Sequence, residues 1–284
     1  MKKIKVLALC AIVAGFSTSC EKSDVASEAQ PEAVTETVSK KHLDGLAEAG
    51  VNPAGAFYES IQHPGQEPVD YLTSGDISIA LENIAAQALA QDAENNAKQY
   101  RTNNLVSRNR TINVIGYTGG RFALTSRMRT GLQWAVNNYN ALNNFSLNFN
   151  LTFATSTNGD MVVYNAGGTG QGGQAEFPNG GNPGKFIQIL GGMANASNNV
   201  NEHVIGHEMG HALGFRHTDY AQRRCGGANE GQAGVGAINI PGTPTANRWG
   251  QNGLDSDSIM ISCFDGTEDG EFSNFDIVAL QFLY

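Results

Sequence analysis

Cysteine is scarce: the 284 residues hold four, at positions 10, 20, 225 and 263. The absence of any between Cys20 and Cys225 excludes a thiolate from the N-terminal half as a metal ligand. Basic charge is short as well, with 18 Lys and Arg against 27 Asp and Glu and a formal net charge of −9. That balance argues against nucleic acid or an anionic lipid surface as the main partner. A membrane-spanning run is missing too, since the apolar stretch 6–16 is too short to cross a bilayer stably. With 40% hydrophobic residues the chain does not fit disorder throughout, and its length suits one good-sized core plus a smaller accessory region.

Lys2, Lys3 and Lys5 lead into the apolar run, which ends in the small residues Ser17, Thr18 and Ser19. This pattern predicts an export signal over residues 1–19. Loss of its three lysines takes the formal charge from −9 to −12. Cys20, followed by Glu21, Lys22, Ser23 and Asp24, resembles a bacterial lipoprotein processing site, with Ser17 where leucine is usual. Lipidation at Cys20 would make an anchor there the chain's only tie to a membrane; ordinary secretion with cleavage near Ser19 is the other reading. Residues 20–41, rich in Ala, Glu, Ser and Thr, read as a flexible tether.

Residues 42–110 read as a helical N-terminal accessory or pro-region. Ile77, Ala80, Leu81, Ile84, Ala85 and Ala88 recur at helical spacing after the turn Ser74, Gly75, Asp76. Arg101, Arg108 and Arg110 fall in an Asn-rich stretch expected to be an exposed connection, either a solvated linker or a processing site. Residues 111–284 have the pattern of one mixed domain. A first strand over 112–117 precedes a long helix with Met128, Leu132, Ala135, Val136, Tyr139 and Leu142 on one face. Phe145, Leu147, Phe149, Leu151 and Phe153 then alternate with polar residues as a half-buried strand. Short strands are expected over 161–164 and 186–190. The glycine-rich stretch 165–184 between them is expected to be irregular, forming loops near a cleft.

The chemistry is concentrated in residues 207–217, HEMGHALGFRH. His207 and His211, four apart on a helix, project from one face close enough to reach a single ion. Glu208 lies beside that ion, placed to take a proton from water and pass it to a leaving amine. Gly214 permits the left-handed turn that ends the helix and lets His217 approach from another side. Three neutral ligands leave an open position on one Zn2+, which suits hydrolysis. His203, one turn before His207, reads as a solvated or supporting residue rather than a fourth ligand.

These eleven residues resemble the metzincin zinc motif, and Ser258, Ile259 and Met260 resemble the metzincin Met-turn beneath the metal. Residues 273–284 resemble the closing helix of matrix-type metzincins, and Ser273 and Asp276 suit a helix start on physical grounds as well. The pentapeptide 207–211 and the Thr218, Asp219 pair after the third histidine are similar to the dual-action HEIGH metallopeptidases, with Met209 in place of isoleucine. The resemblance implies an α+β, metzincin-like (zincin) catalytic domain: a twisted mixed β-sheet, a long backing helix, a zinc-binding active-site helix and a C-terminal helix. It also implies a zinc-dependent endopeptidase acting on protein or peptide substrates. Residues 246–254 stand as an insertion before the Met-turn. Asp219 either orients a ligand by a hydrogen bond or is a plain turn residue.

Cys225 and Cys263, the even pair left after export, are expected to form a disulfide. If the N-terminal region confers latency, a carboxylate must act in place of a thiolate, with Asp70 and Asp76 as candidates; each is more simply read as a surface or helix-start residue. The expected assembly is a monomer. The alternative function is a non-catalytic, zinc-stabilised surface lipoprotein acting as a binding module, in which Glu208 would have no use.

Overall fold

The computed structural model describes residues 37–91, 100–227, 229–230 and 237–284. The expected signal, Cys20 and the tether up to residue 36 lie outside the described residues. Helix α1 (Lys40–Glu48) starts inside the expected tether, capped by the Ser39 side chain on His42 N. Strands β1 (Phe57–Ile61), β2 (Val69–Ser74) and β3 (Ile77–Ala80) follow, then α2 (Ile84–Gln91). Next come β4 (Arg110–Tyr117), α3 (Ser126–Ala141), β5 (Leu147–Ala154), β6 (Met161–Gly167), β7 (Gly173–Ala175) and β8 (Phe186–Leu190). Helix α4 (Asn198–Leu213) carries the histidines, and α5 (Asn274–Leu283) closes the described chain.

All eight strands form one mixed sheet in the order β1-β2-β3-β7-β8-β6-β4-β5. Strands β4, β5, β6 and β8 run parallel, and β7 is antiparallel to β8. The main core lies between this sheet and α3 and α4, with Met128, Leu132, Ala135 and Val136 of α3 buried beside Ile205 and Met209 of α4. Gly131 sets how closely the helices approach, since a Cβ there would meet Asn201 backbone at 2.7 Å. The α+β architecture expected from the resemblance is therefore present, with α3 as the backing helix.

Three expectations need correction. Residues 77–80 are strand rather than helix: Ile77 and Ile79 alternate with Ser78, and pairing of Leu72 with Ile79 outweighs a spacing that fits either period. The region 42–110 is thus only partly helical, and its hairpin belongs to the same sheet as the rest. The stretch 165–184 is not wholly irregular, because β7 lies within it and pairs with β8. Arg108 and Arg110 are not free on a linker. The Arg108 guanidinium donates to the carbonyls of Leu283 and Phe282, and Arg110 to Asp160, Gly181 O and Asn182.

Helix α5 starts with a reciprocal cap: Ser273 Oγ accepts from Asp276 N, and Asp276 Oδ2 accepts from Ser273 N, both at 3.0 Å. The same carboxylate accepts from Ile259 N at 2.8 Å and Ser258 Oγ at 2.6 Å. One buried side chain therefore locks α5 to the segment bearing Met260. Asp276→Ala would strand those donors and is expected to lower unfolding free energy by about 3 kcal/mol in urea titration; a change below about 0.5 kcal/mol would show that the segment is held by other contacts.

Candidate metal centre and active site

Helix α4 is buried along almost its whole length, which is why its sequence mixes apolar and histidine residues without an exposed face. Ser197 caps its start, and Gly214 ends it at φ +103°, donating to Gly210 O and His211 O. A Cβ at Gly214 would also meet Asn104 O at 2.7 Å, so the turn admits glycine on two grounds. The chain reverses there, and His217 comes back to the face bearing His207 and His211.

Each ring is fixed through Nδ1. His207 Nδ1 donates to Ile259 O at 2.7 Å, His211 Nδ1 to Phe215 O at 2.8 Å, and His217 Nδ1 to the Glu230 carboxylate at 2.9 and 3.0 Å. The three Nε2 atoms then face one another, with His217 3.2 Å from His211 and 3.3 Å from His207. A proton on one ring can satisfy only one of these contacts, leaving other lone pairs opposed. Nitrogen ligands around one tetrahedral zinc, at bonds of 2.0–2.1 Å, would lie about 3.4 Å apart. The donor set fits such an ion.

Asp76, from the β2–β3 turn, completes the group, and the four ligand atoms lie within 4.8 Å of one another. Its Oδ2 is 2.9 Å from His217 Nε2. Burial opposes its ionisation, but the charges and hydrogen bonds of His217, His207 and His211 hold it well below the usual carboxylate range. This corrects the reading of Asp76 as a surface or helix-start residue; Asp70 is the exposed one.

Glu208 shares a cavity of about 350 Å³ with Asp76, His203, His207 and Gly173. Its Oε2 is buried without a partner. Burial first, and the Asp76 charge second, push its carboxyl well above the usual range against the opposing pull of His217. A Cβ at Gly173 would meet Glu208 Cγ at 2.6 Å, so glycine there keeps room for the carboxyl group. His203 is buried, not solvated; its ring lies 6.5 Å from that of His207, outside the ligand group. Burial and the neighbouring His207 push its pKa down to about 4.

Met260 lies against the helix: a Cβ at Gly210 would meet its Sδ at 2.5 Å. Asp219 touches none of the histidines through a hydrogen bond. It accepts from Ser262 N at 3.0 Å, Ser262 Oγ at 2.9 Å and Arg224 N at 2.6 Å, tying the loop after His217 to the segment after Met260. Cys225 and Cys263 are disulfide-bonded with Cα atoms 5.9 Å apart, joining the same two segments. Residues 246–254 fold back on that loop: Trp249 N donates to Gln222 O and the Trp249 ring stacks under Arg224.

A sequence profile of the dual-action HEIGH metallopeptidases matches residues 71–284, which takes in Asp76 as well as α4 and α5. The chain belongs to that family. Among solved structures, myroilysin aligns at 16% identity and a TM-score of 0.39, over 63% of this chain and 81% of its own. High choriolytic enzyme 1, a hatching-enzyme zinc protease of the medaka fish Oryzias latipes, aligns at 16% identity and a TM-score of 0.36, over 61% and 88%. No curated protein sequence matches. Among the described residues, this HEIGH metallopeptidase has no helix long and apolar enough to cross a membrane.

Glu230 is the site residue that the motif does not reveal. It stands beyond the third histidine in a Gly- and Ala-rich stretch with no periodic signal, and its contact with His217 is made by folding alone. A carboxylate on the far nitrogen fixes the tautomer and makes the ring a stronger donor. Glu230→Gln in this HEIGH metallopeptidase is expected to weaken Zn2+ binding about 10- to 100-fold by competitive chelator titration, whereas unchanged affinity would deny Glu230 that role.

Proposed function

We propose that the chain is a zinc-dependent endopeptidase, with His207, His211 and His217 holding one ion and Glu208 acting as general base. The observation that carries this reading is the convergence of three imidazoles whose Nδ1 atoms are already committed, beside a buried carboxylate oxygen with no partner. A zinc ion there supplies Lewis-acid polarisation to a carbonyl or a water. Glu208 takes the proton of the attacking water and returns it to the amine as the peptide bond breaks. Burial, the largest cause of the raised pKa of this carboxyl, favours keeping the proton between those two transfers.

The cavity runs from Asp76 and Gly173 past Glu208 to Ile261 and Phe264. Gly173 of β7 borders it, and β7 is already paired with β8 and, through Ala175, with β3. Protein or peptide substrates, a monomeric state and export with lipidation at Cys20 complete the proposal.

His211→Ala is expected to abolish stoichiometric zinc by elemental analysis, because a group that has lost one of its three imidazoles binds far more weakly. Full zinc content in that variant would overturn the ligand set. Glu208→Ala is expected to keep the metal while turnover of a quenched fluorescent peptide falls at least about 100-fold, compared in whichever form of the protein hydrolyses it fastest. Undiminished hydrolysis would assign the proton transfers to another group.

A further inference from the structure

Helix α4 carries a fourth histidine, His203, one turn before His207 and with its ring centroid 6.5 Å from that of His207. It is 7% exposed, and among the described residues neither of its ring nitrogens makes a hydrogen bond. A buried imidazole is costly to leave without a partner, so what it faces is informative. His203 borders two cavities at once. One holds His207 and Glu208; the other has a volume of about 340 Å³, and Ile261 and Cys263 line both as well. A side chain of a peptide held at Glu208 therefore has a route past His203 into the second cavity.

That second cavity is acidic. Asp257, Asp265, Glu268, Asp269 and Glu271 line it against one guanidinium, that of Arg224. Arg224 is already committed: it pairs with Asp265, stands 3.5 Å from Glu268 and lies 4.7 Å over the Trp249 ring. Among the described residues, Asp257, Asp269 and Glu271 make no ion pair. The surplus is felt on α4 itself. Burial first, and the charges of Glu271 and Asp269 after it, raise the Glu202 carboxyl to about 7 against the hydrogen bond from Asn138.

The acidic segment is held in place by its own backbone and by α4. Glu268 accepts from Asp265 N at 2.7 Å and Gly266 N at 2.9 Å, and Asp269 accepts from Glu271 N at 3.0 Å. Gly270, at φ +87°, lies against the helix, where a Cβ would meet Glu202 Cγ at 2.5 Å, and its carbonyl accepts from Asn138 at 3.3 Å. Carboxylates fixed in this way lose little freedom on meeting a cation. A divalent ion fits them poorly, because Arg224 keeps a positive charge among them and both Glu268 oxygens already serve backbone N–H groups. A long side chain with a single positive charge suits them better, its stem along Ile261 and its head at the carboxylates.

Resting on the zinc-peptidase reading, we infer that this cavity is a specificity pocket for a lysine or arginine side chain flanking the bond to be cut. Glu268, Asp269 and Glu271 supply the charge, and His203 accepts a hydrogen bond from the ammonium or guanidinium head. His203 and the segment 265–271 thus select the substrate without joining the metal group.

The test has two arms, both on the full chain. In the first, quenched peptides identical except for Lys, norleucine or Glu at each position flanking the cleaved bond are compared by kcat/KM. Wild type is expected to prefer Lys to norleucine at least about tenfold at one of those positions and to reject Glu. Asp269→Asn combined with Glu271→Gln should cut that preference at least about fivefold while leaving the norleucine peptide unchanged. Equal rates on the Lys and norleucine peptides would overturn the pocket. The second arm needs no turnover: Trp249 emission of a Trp134→Phe, Glu208→Ala protein is titrated with acetyl-Ala-Lys-Ala-amide and with its norleucine counterpart. Tighter binding of the Lys peptide, lost in the double variant, is the expected result, and equal binding would overturn the pocket. A response to Ca2+ with none to the Lys peptide would make the cavity a metal site and overturn it too. Failure to cut any peptide, with the Lys preference intact in the second arm, would strike at the zinc-peptidase reading and leave the cation pocket standing, so the two failures are distinguishable.

Discussion

Three imidazoles can aim their Nε2 lone pairs at one point only if something holds each ring from behind. That constraint organises much of the molecule. Phe215 O serves His211 because Gly214 turns the chain back at once; Ile259 O serves His207 because Asp276 grips the Ser258 hydroxyl and the Ile259 N–H; and Glu230 serves His217 from a loop. Helix α5, remote in sequence from the histidines, thus acts on the site through one carboxylate and one carbonyl. The buried position of α4 follows from the same need, since a ring fixed on both nitrogens must be fixed within a packed interior.

The second organising feature is the edge of the sheet. Strand β7 has three residues and would be a short, unprotected edge without β3 beside it. Exposed edges invite pairing with other chains, and natural sheets cover or shorten them. Here the cover is supplied from within the chain, and the turn that starts it carries a carboxylate toward the histidines. Structural protection of the edge and the approach of Asp76 to the histidines therefore come from one local element, Ser74 to Ala80.

The zinc helix was legible in the sequence because its information is local. Histidines four apart, a glycine that stops the helix and a third histidine three residues later define a geometry without reference to the rest of the fold. The cap of α5 was legible for the same reason, as were α3 and strands β4 and β8. Glu230 was not, and Asp76 was named only as one of two candidate carboxylates, because neither contact has a spacing to read: Asp76 joins the rings from a hairpin far upstream, Glu230 from an unpatterned loop. Strand β3 was misread because Ile77 to Ala80 is too short for period alone to choose between strand and helix, and neighbours in the sheet decide it. Strand β7 was missed because glycine at 173 looks like a loop residue until Glu208 is seen against it. The link from Asp276 to Ile259 could be foreseen only as a helix cap, since half of its bonds lie outside the helix.

The Cys225–Cys263 bond encloses 38 residues of sequence separation that include the insertion and the approach to Met260. In the chain-entropy view such a closure stabilises the fold by about 4 kcal/mol. It has another consequence for an endopeptidase that its own copies can cut. A backbone nick anywhere between the two cysteines yields fragments that cannot diffuse apart. His217 and Met260 would stay covalently tethered across the break, so a nicked molecule could keep its cleft wall and register as damaged only after reduction.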